Sequence, residues 1–257
     1  MPNPNYSIAH KLKNSLIQIK RWLSSDPSTA LRKFIKDGEF RSYVWLRLLE
    51  PELVQIRGYT REDRYPELFR FVQQYTNKNK HLRILSFGCS SGAEVVTLRN
   101  YFPDAEIVGC DINKKNLILS KERINDAKIS YIESTPKNLA KAGPFDLIFC
   151  LAVLVNDRTC RDDVDDCSSY FPFSQFSRNI ENLDSVLSPG GLMVLFVTNF
   201  RFMDAQVSKF YEVIKIDTQF VKQETSNLVV PQYDRNNKRI RGEVYLDMVF
   251  QKKENSS

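Results

Sequence analysis

The chain has 257 residues, 42% of them hydrophobic, with a formal net charge of +6. That length buries one substantial core, most economically as a single α/β domain with an N-terminal extension. No apolar run approaches the roughly 18 residues that span a bilayer, and the N-terminus lacks the compact apolar block of a secretory signal, so a cytoplasmic protein is expected. With only His10 and His81 present, a zinc site or a histidine-based triad has little support, and no metal is expected. The five cysteines contain no C-x-x-C pair and read as buried or loop thiols rather than a disulfide framework. The positive charge is not gathered into a basic run interleaved with aromatics, so solvation, not a nucleic-acid partner, is its expected role.

Residues 6 to 24 carry Ile8, Leu12, Leu16, Ile19 and Leu23 at helical spacing, with Lys11, Lys13, Lys20 and Arg21 on other faces. This basic amphipathic helix is expected to pack on its own domain or on a partner chain, self-association included, with a membrane surface as the lesser alternative. Asp26-Pro27-Ser28 breaks it and caps a second helix over 29 to 40, and a third short helix over 43 to 49 stops at Pro51. The polar, aromatic segment 57 to 66 leads into a helix over 67 to 76. It either covers a ligand mouth or braces that helix through Arg64 and Tyr65.

From Arg83 the elements alternate, with strands near 83–87, 106–110, 129–132, 145–151 and 192–198 and helices near 92–101, 114–125 and 176–187. Two closing strands are expected over 211–216 and 243–251, followed by a frayed tail over 252–257. The whole predicts a Rossmann-like, doubly wound, mostly parallel seven-stranded α/β sheet over 81–257, with a helical extension or cap over 1–80.

Within it, Arg83-Ile84-Leu85-Ser86-Phe87 runs into Gly88-Cys89-Ser90-Ser91-Gly92-Ala93-Glu94, and about twenty residues later Ile107-Val108-Gly109-Cys110 ends in Asp111. Small residues at Gly88, Ser90 and Gly92 let backbone N–H groups and the next helix N-terminus approach a ligand, and a carboxylate at Asp111 can accept both hydroxyls of a ribose. The alternative is a tight βα turn with Asp111 as a helix cap. The G-x-G-x-x-G spacing of nicotinamide enzymes is absent. After the fourth strand comes the polar insertion 156 to 169, rich in aspartate, which reads as a solvated surface, a lure for a cationic acceptor or a divalent-ion site.

The glycine loop, Asp111, the Gly143-Pro144-Phe145-Asp146-Leu147-Ile148-Phe149-Cys150 strand and the Leu187-Ser188-Pro189-Gly190-Gly191-Leu192 turn occur in register. In that order they resemble the class I S-adenosylmethionine-dependent methyltransferases over roughly 83 to 251. The loop departs from the family's usual form, with Ser86 at its acidic position and Ser90 at its middle glycine. Cys89-Ser90-Ser91-Gly92-Ala93-Glu94 looks more like the chemotaxis receptor glutamate methyltransferases, although Leu151-Ala152 replaces an Arg-Asn pair common there.

The resemblance implies S-adenosylmethionine as cofactor, its methionine end against Gly88, Cys89, Ser90 and Gly92, with Glu94 toward the ammonium. It implies Asp111 at the ribose, Ile112 on the adenine, Ser134 and Thr135 at the adenine edge, and Cys150 and Leu151 toward the sulfonium and the acceptor. For the last four, ordinary strand-end packing is an equal alternative. Any general base would be a carboxylate or a tyrosine, with Asp157 and Tyr170 the nearest candidates. The expected acceptor is a small molecule, a sugar or another metabolite. The alternatives are a protein carboxylate and a non-catalytic methyltransferase-like subunit that docks a partner.

Overall fold

The computed structural model describes residues 35–36, 54, 60–76, 81–161, 163–216, 230–242 and 247–254. The chain divides into two compact units, residues 1–56 and 57–257. In the first, Ile35 and Lys36 are helical and exposed, and Val54 is buried. The helices expected over 6–24 and 43–49, most of that over 29–40, and residues 57–59 and 243–246 lie outside the described residues.

The second unit opens with α1 (Pro66–Tyr75), started by a proline at its first turn and closed by the Thr76 hydroxyl, which donates to Val72 O at 2.8 Å. Its buried face is Leu68, Phe69 and Val72, and Phe69 lies 5.3 Å from Phe149 of the central sheet. The chain continues through β1 (Arg83–Phe87), α2 (Ala93–Tyr101), β2 (Glu106–Asp111), α3 (Lys114–Arg123), β3 (Ile129–Glu133), α4 (Pro136–Ala142) and β4 (Phe145–Leu151). After these come α5 (Asp157–Arg161), α6 (Phe173–Asp184), β5 (Leu187–Phe196), β6 (Tyr211–Ile214), β7 (Gln232–Tyr233), β8 (Arg239–Ile240) and β9 (Val249–Lys252).

Seven strands form one sheet in the order β3-β2-β1-β4-β5-β9-β6, with β7 and β8 as a separate antiparallel pair. The pairs from β3 to β5 are parallel, and β9 runs antiparallel between β5 and β6. The expected mostly parallel seven-stranded Rossmann-like sheet is therefore the observed one. Its central strands are covered on both faces, so Ile84, Leu85, Leu147, Ile148 and Phe149 are all fully buried and read as continuous apolar runs. Strand order reverses between β1 and β4, which sets a crevice at their carboxyl ends.

The helices α4 and α5 were not expected from the sequence, and three further elements differ from the expectation. β5 pairs from Leu187, opposite Phe145, with a register shift before Leu147 meets Leu192, so the Pro-Gly-Gly turn is an irregularity within the strand. Lys252 and Lys253 are not frayed: Lys252 Nζ donates to Asp184 O at 2.8 Å and pairs with its carboxylate at 3.0 Å, and Lys253 N donates to Phe210 O at 2.9 Å. The third is the β7–β8 pair, which no sequence signal announced. Tyr233 is fully buried against Phe200, ring centroids 6.2 Å apart, and Phe200 also meets Phe171, Phe173 and Phe176 at 5.6, 5.4 and 5.4 Å.

Candidate active site

The loop between β1 and α2 turns through three left-handed residues, Gly88 at φ 75°, Ser90 at 50° and Gly92 at 85°. Glycine is required at 88 on two counts, since a Cβ there would also stand 2.5 Å from Val153 Cγ2. Backbone N–H groups were expected to face a ligand, but four of them turn inward. Gly88 N and Cys89 N donate to Cys110 O at 2.8 and 2.9 Å, Gly92 N to Cys89 O at 3.0 Å, and Ser90 N to Asp111 Oδ2 at 2.8 Å. What stays open is the first turn of α2, which has no side-chain cap and whose leading N–H groups have no intrahelical partner.

Asp111 ends β2 almost fully buried. Besides Ser90 N, it accepts from Asn113 N at 2.7 Å and from Asn116 Nδ2 at 3.3 Å, both on Oδ1. A carboxylate offers about four acceptor sites. Oδ1 is filled and Oδ2 keeps one, enough for a single hydroxyl without displacing an internal donor. Burial raises its pKa, opposed by the Asn113 and Ser90 amides. Ser120 Oγ adds a bond to Ser90 O at 2.8 Å, and Arg123 Nε one to Ser91 O at 2.9 Å. The loop is thereby clasped from β2 and α3 together.

Glu94 lies one turn into the site, its Oε1 2.7 Å from Ser86 Oγ. Burial pushes its carboxyl up to about 7, while the Ser86 hydroxyl and the charge of Arg64 pull it back. Ser86 stands where the family pattern has an acidic residue, and Glu94 brings a carboxylate to that hydroxyl. Cys89 and Cys110 are buried, and burial lifts the Cys110 thiol to about 12.

Ile112 is half-buried just beyond β2. Ser134 N donates to Asp111 O at 3.0 Å. Thr135 caps α4, its hydroxyl accepting from Asn138 N at 3.2 Å. Cys150 is wholly buried and Leu151 nearly so; the more open residue at this strand end is Val153, which follows Ala152 at φ 56°. Ala152 and Val197 (φ 58°), like Ser90, are non-glycine residues in the left-handed region, set beyond the carboxyl ends of β4, β5 and β1. Each such backbone costs on the order of 1–3 kcal/mol, and a β-branched valine there is a true outlier. Among the described residues, Asp63 and Asn237 also adopt this conformation, away from these strand ends.

Asp157 begins α5, and Tyr170 is half-buried under the Arg158 guanidinium at 6.0 Å, so both candidate bases lie in the segment that follows β4. Three aspartates of that segment are held in ion pairs. Asp163 pairs with Arg239, Asp165 with Arg241 at 2.5 Å and Asp166 with Lys238 at 2.9 Å, all from β8 and its flanks. Among the described residues no cluster of three His, Cys, Asp or Glu side chains could hold a metal. Asp162 lies outside them.

Sequence reasoning missed Asn199. Fully buried, it accepts from Asn156 N at 2.7 Å and Thr159 Oγ1 at 3.2 Å, and its Nδ2 donates to Pro231 O at 2.8 Å. Its backbone O accepts from Tyr233 N at 2.9 Å, so one amide fastens the segment after β4 to the β7–β8 pair. A polar residue just past the fifth strand was the only signal available.

The chain belongs to the family described as a methyltransferase domain, whose model matches residues 78–239. Solved structures with similar folds include the plantazolicin methyltransferase BpumL in complex with SAH, at 17% identity and TM-score 0.41 over 83% of this chain and 74% of that one. Another is SAM-bound CalS10, an amino pentose methyltransferase from Micromonospora echinaspora, at 16% identity and TM-score 0.41 over 63% and 61%. A third is PKMT2 from Rickettsia typhi in complex with AdoHcy, at 21% identity and TM-score 0.34 over 45% of this chain. This chain spans 20% of that protein's length. A search of curated protein sequences finds no match.

Proposed function

We propose that the protein methylates a small-molecule, sugar or other metabolite acceptor, holding S-adenosylmethionine across the carboxyl ends of β1, β2 and β4. The observation that carries this is Asp111: a buried carboxylate, braced to the glycine loop, that keeps one acceptor site on Oδ2 for a ribose hydroxyl. Ile112 is the surface for the adenine, with Ser134 at its edge and Thr135 kept to capping α4. The uncapped first turn of α2 suits a carboxylate, and Glu94 suits the ammonium. Leu151 and Val153 border the methyl end, with Cys150 behind them.

When bound, S-adenosylmethionine supplies a methyl group activated by its sulfonium. Catalysis then rests on near-attack geometry, which rigid strand ends provide, and a base is needed only for a hydroxyl acceptor. Asp157 or Tyr170 would serve there. Five free thiols accord with a cytoplasmic location, and no helix among the described residues is long and apolar enough to cross a membrane.

The loop Cys89 to Glu94, with its carboxylate drawn to Ser86, supports a second reading in which the acceptor is a protein carboxylate. Incubation with methyl-labelled S-adenosylmethionine and a fractionated extract separates the two. Label in small molecules supports the first reading, and alkali-labile label in protein supports the second. Cofactor binding without transfer to any fraction would leave a non-catalytic subunit, with a partner docked through the N-terminal helix expected over 6–24.

A further inference from the structure

The segment after β4 is rich in aspartate, yet three of its carboxylates are already answered by cations: Asp163 by Arg239, Asp165 by Arg241 and Asp166 by Lys238. Two further arginines of this half are answered as well, Arg201 by Asp204 at 2.8 Å and Arg235 by the same carboxylate at 3.8 Å. Arg158 differs. It is half-buried on α5, its guanidinium lies 6.0 Å over the half-buried Tyr170 ring, and no carboxylate among the described residues, neighbouring Asp157 included, forms an ion pair with it.

The backbone that presents this guanidinium is fixed. Arg158 N donates to Asn156 Oδ1 at 3.0 Å, Asn156 Nδ2 donates to Tyr170 O at 3.4 Å, and Asn156 N donates to Asn199 Oδ1 at 2.7 Å. Thr159 Oγ1 lies 2.6 Å from Asn156 O and 3.2 Å from Asn199 Oδ1. Asn156, Thr159 and Asn199 are all buried, so one polar knot holds the start of α5 and the Tyr170 backbone together. Arg158 follows Val153, proposed above to border the methyl end, by five residues.

A guanidinium partly withdrawn from water without a counter-charge is costly, and an oxyanion, whose paired oxygens match its planar fork, relieves that cost best. We infer that Arg158 recognises an anionic group, a carboxylate or a phosphate, on a small-molecule methyl acceptor, with Tyr170 as the positioning residue whose ring steadies the guanidinium. This rests on the methyl-transfer reading and narrows its acceptor to an acid. The sign is opposite to the one the aspartates suggest from sequence. An arginine lowers the nucleophilicity of the oxygen it pairs with, so the recognised group is a handle and the methyl goes to another atom.

Calorimetry on the protein saturated with S-adenosylhomocysteine tests this, with inorganic phosphate and succinate as probes and sodium chloride holding the ionic strength constant. One of the two should bind saturably at a single site, and which one does distinguishes a phosphate handle from a carboxylate. Arg158→Ala should weaken that binding by about tenfold or more, and Arg158→Lys should recover part of the loss. Arg239→Ala, which removes an arginine that is already paired, should leave it unchanged. Tyr170→Leu should weaken it and Tyr170→Phe restore it, because the ring and not the hydroxyl does the positioning. All the variants should bind S-adenosylhomocysteine as the unaltered protein does, which shows that they are folded. No saturable binding of either anion, binding that Arg158→Ala leaves unchanged, or an equal loss in Arg239→Ala overturns the anion site while the methyl-donor reading stands. Failure of the unaltered protein to bind S-adenosylhomocysteine overturns both.

Discussion

The two halves of the crevice are held by different physics. On the β1–β2 side a single buried carboxylate, Asp111, gathers three donors from the loop and α3. On the β4–β5 side a neutral amide, Asn199, ties the segment after β4 to the β7–β8 pair, over an aromatic cluster and under a rim of ion pairs. The first half is local and built from backbone contacts, the form a site needs for a ligand of constant shape. The second is assembled from stretches far apart in the chain, as suits a surface that must fit a particular acceptor.

The largest effect should come from the aromatic floor. Tyr233→Ala removes a fully buried ring and its hydroxyl bond to Val164 O at 2.9 Å, and should cost about 3–5 kcal/mol by denaturant unfolding. Binding of S-adenosylhomocysteine at the other half should change little in the protein that remains folded. Asp111→Asn should cost about 1–3 kcal/mol, because an amide nitrogen would face a backbone donor, and here calorimetry should show adenosyl-ligand affinity falling with stability. Reversal of those two binding results would mean that the halves are not independent.

Glu94 gives a pH signature of intermediate size. Its folded value stands near 7 against an ordinary 4.5, so the folded state keeps a proton that the unfolded chain has lost across that window. Stability should therefore fall as pH rises from 4.5 to about 7, and thermal melts of Glu94→Gln should show this fall removed. The rim should matter least. Its pairs are exposed, and Arg239→Ala should cost about 0.2–1 kcal/mol, a difference that shrinks in high salt when melts of the two proteins are compared.

The same contrast explains what could be read from the residues. Arg83–Phe87 and Phe145–Leu151 were legible to the residue, because apolar runs bounded by turn residues leave little choice of register. Asp111 and the glycine loop were legible because their spacing is local. The inward turn of the loop amides was not, since it depends on Cys110 O and Asp111 closing over them. α4 was missed although Thr135 and Pro136 cap it, as Leu139 alone marks its buried face. The Asp163, Asp165 and Asp166 partners lie more than seventy residues away, and no local pattern encodes them. Asn199 reads as a loop residue until the hairpin is folded onto it.

The most direct measurement is a crystal structure with S-adenosylhomocysteine. The account predicts a ribose hydroxyl within hydrogen-bond distance of Asp111 Oδ2 and the amino-acid end against the uncapped first turn of α2. An empty crevice, or an adenosine bound away from the carboxyl ends of β1 and β2, would contradict it.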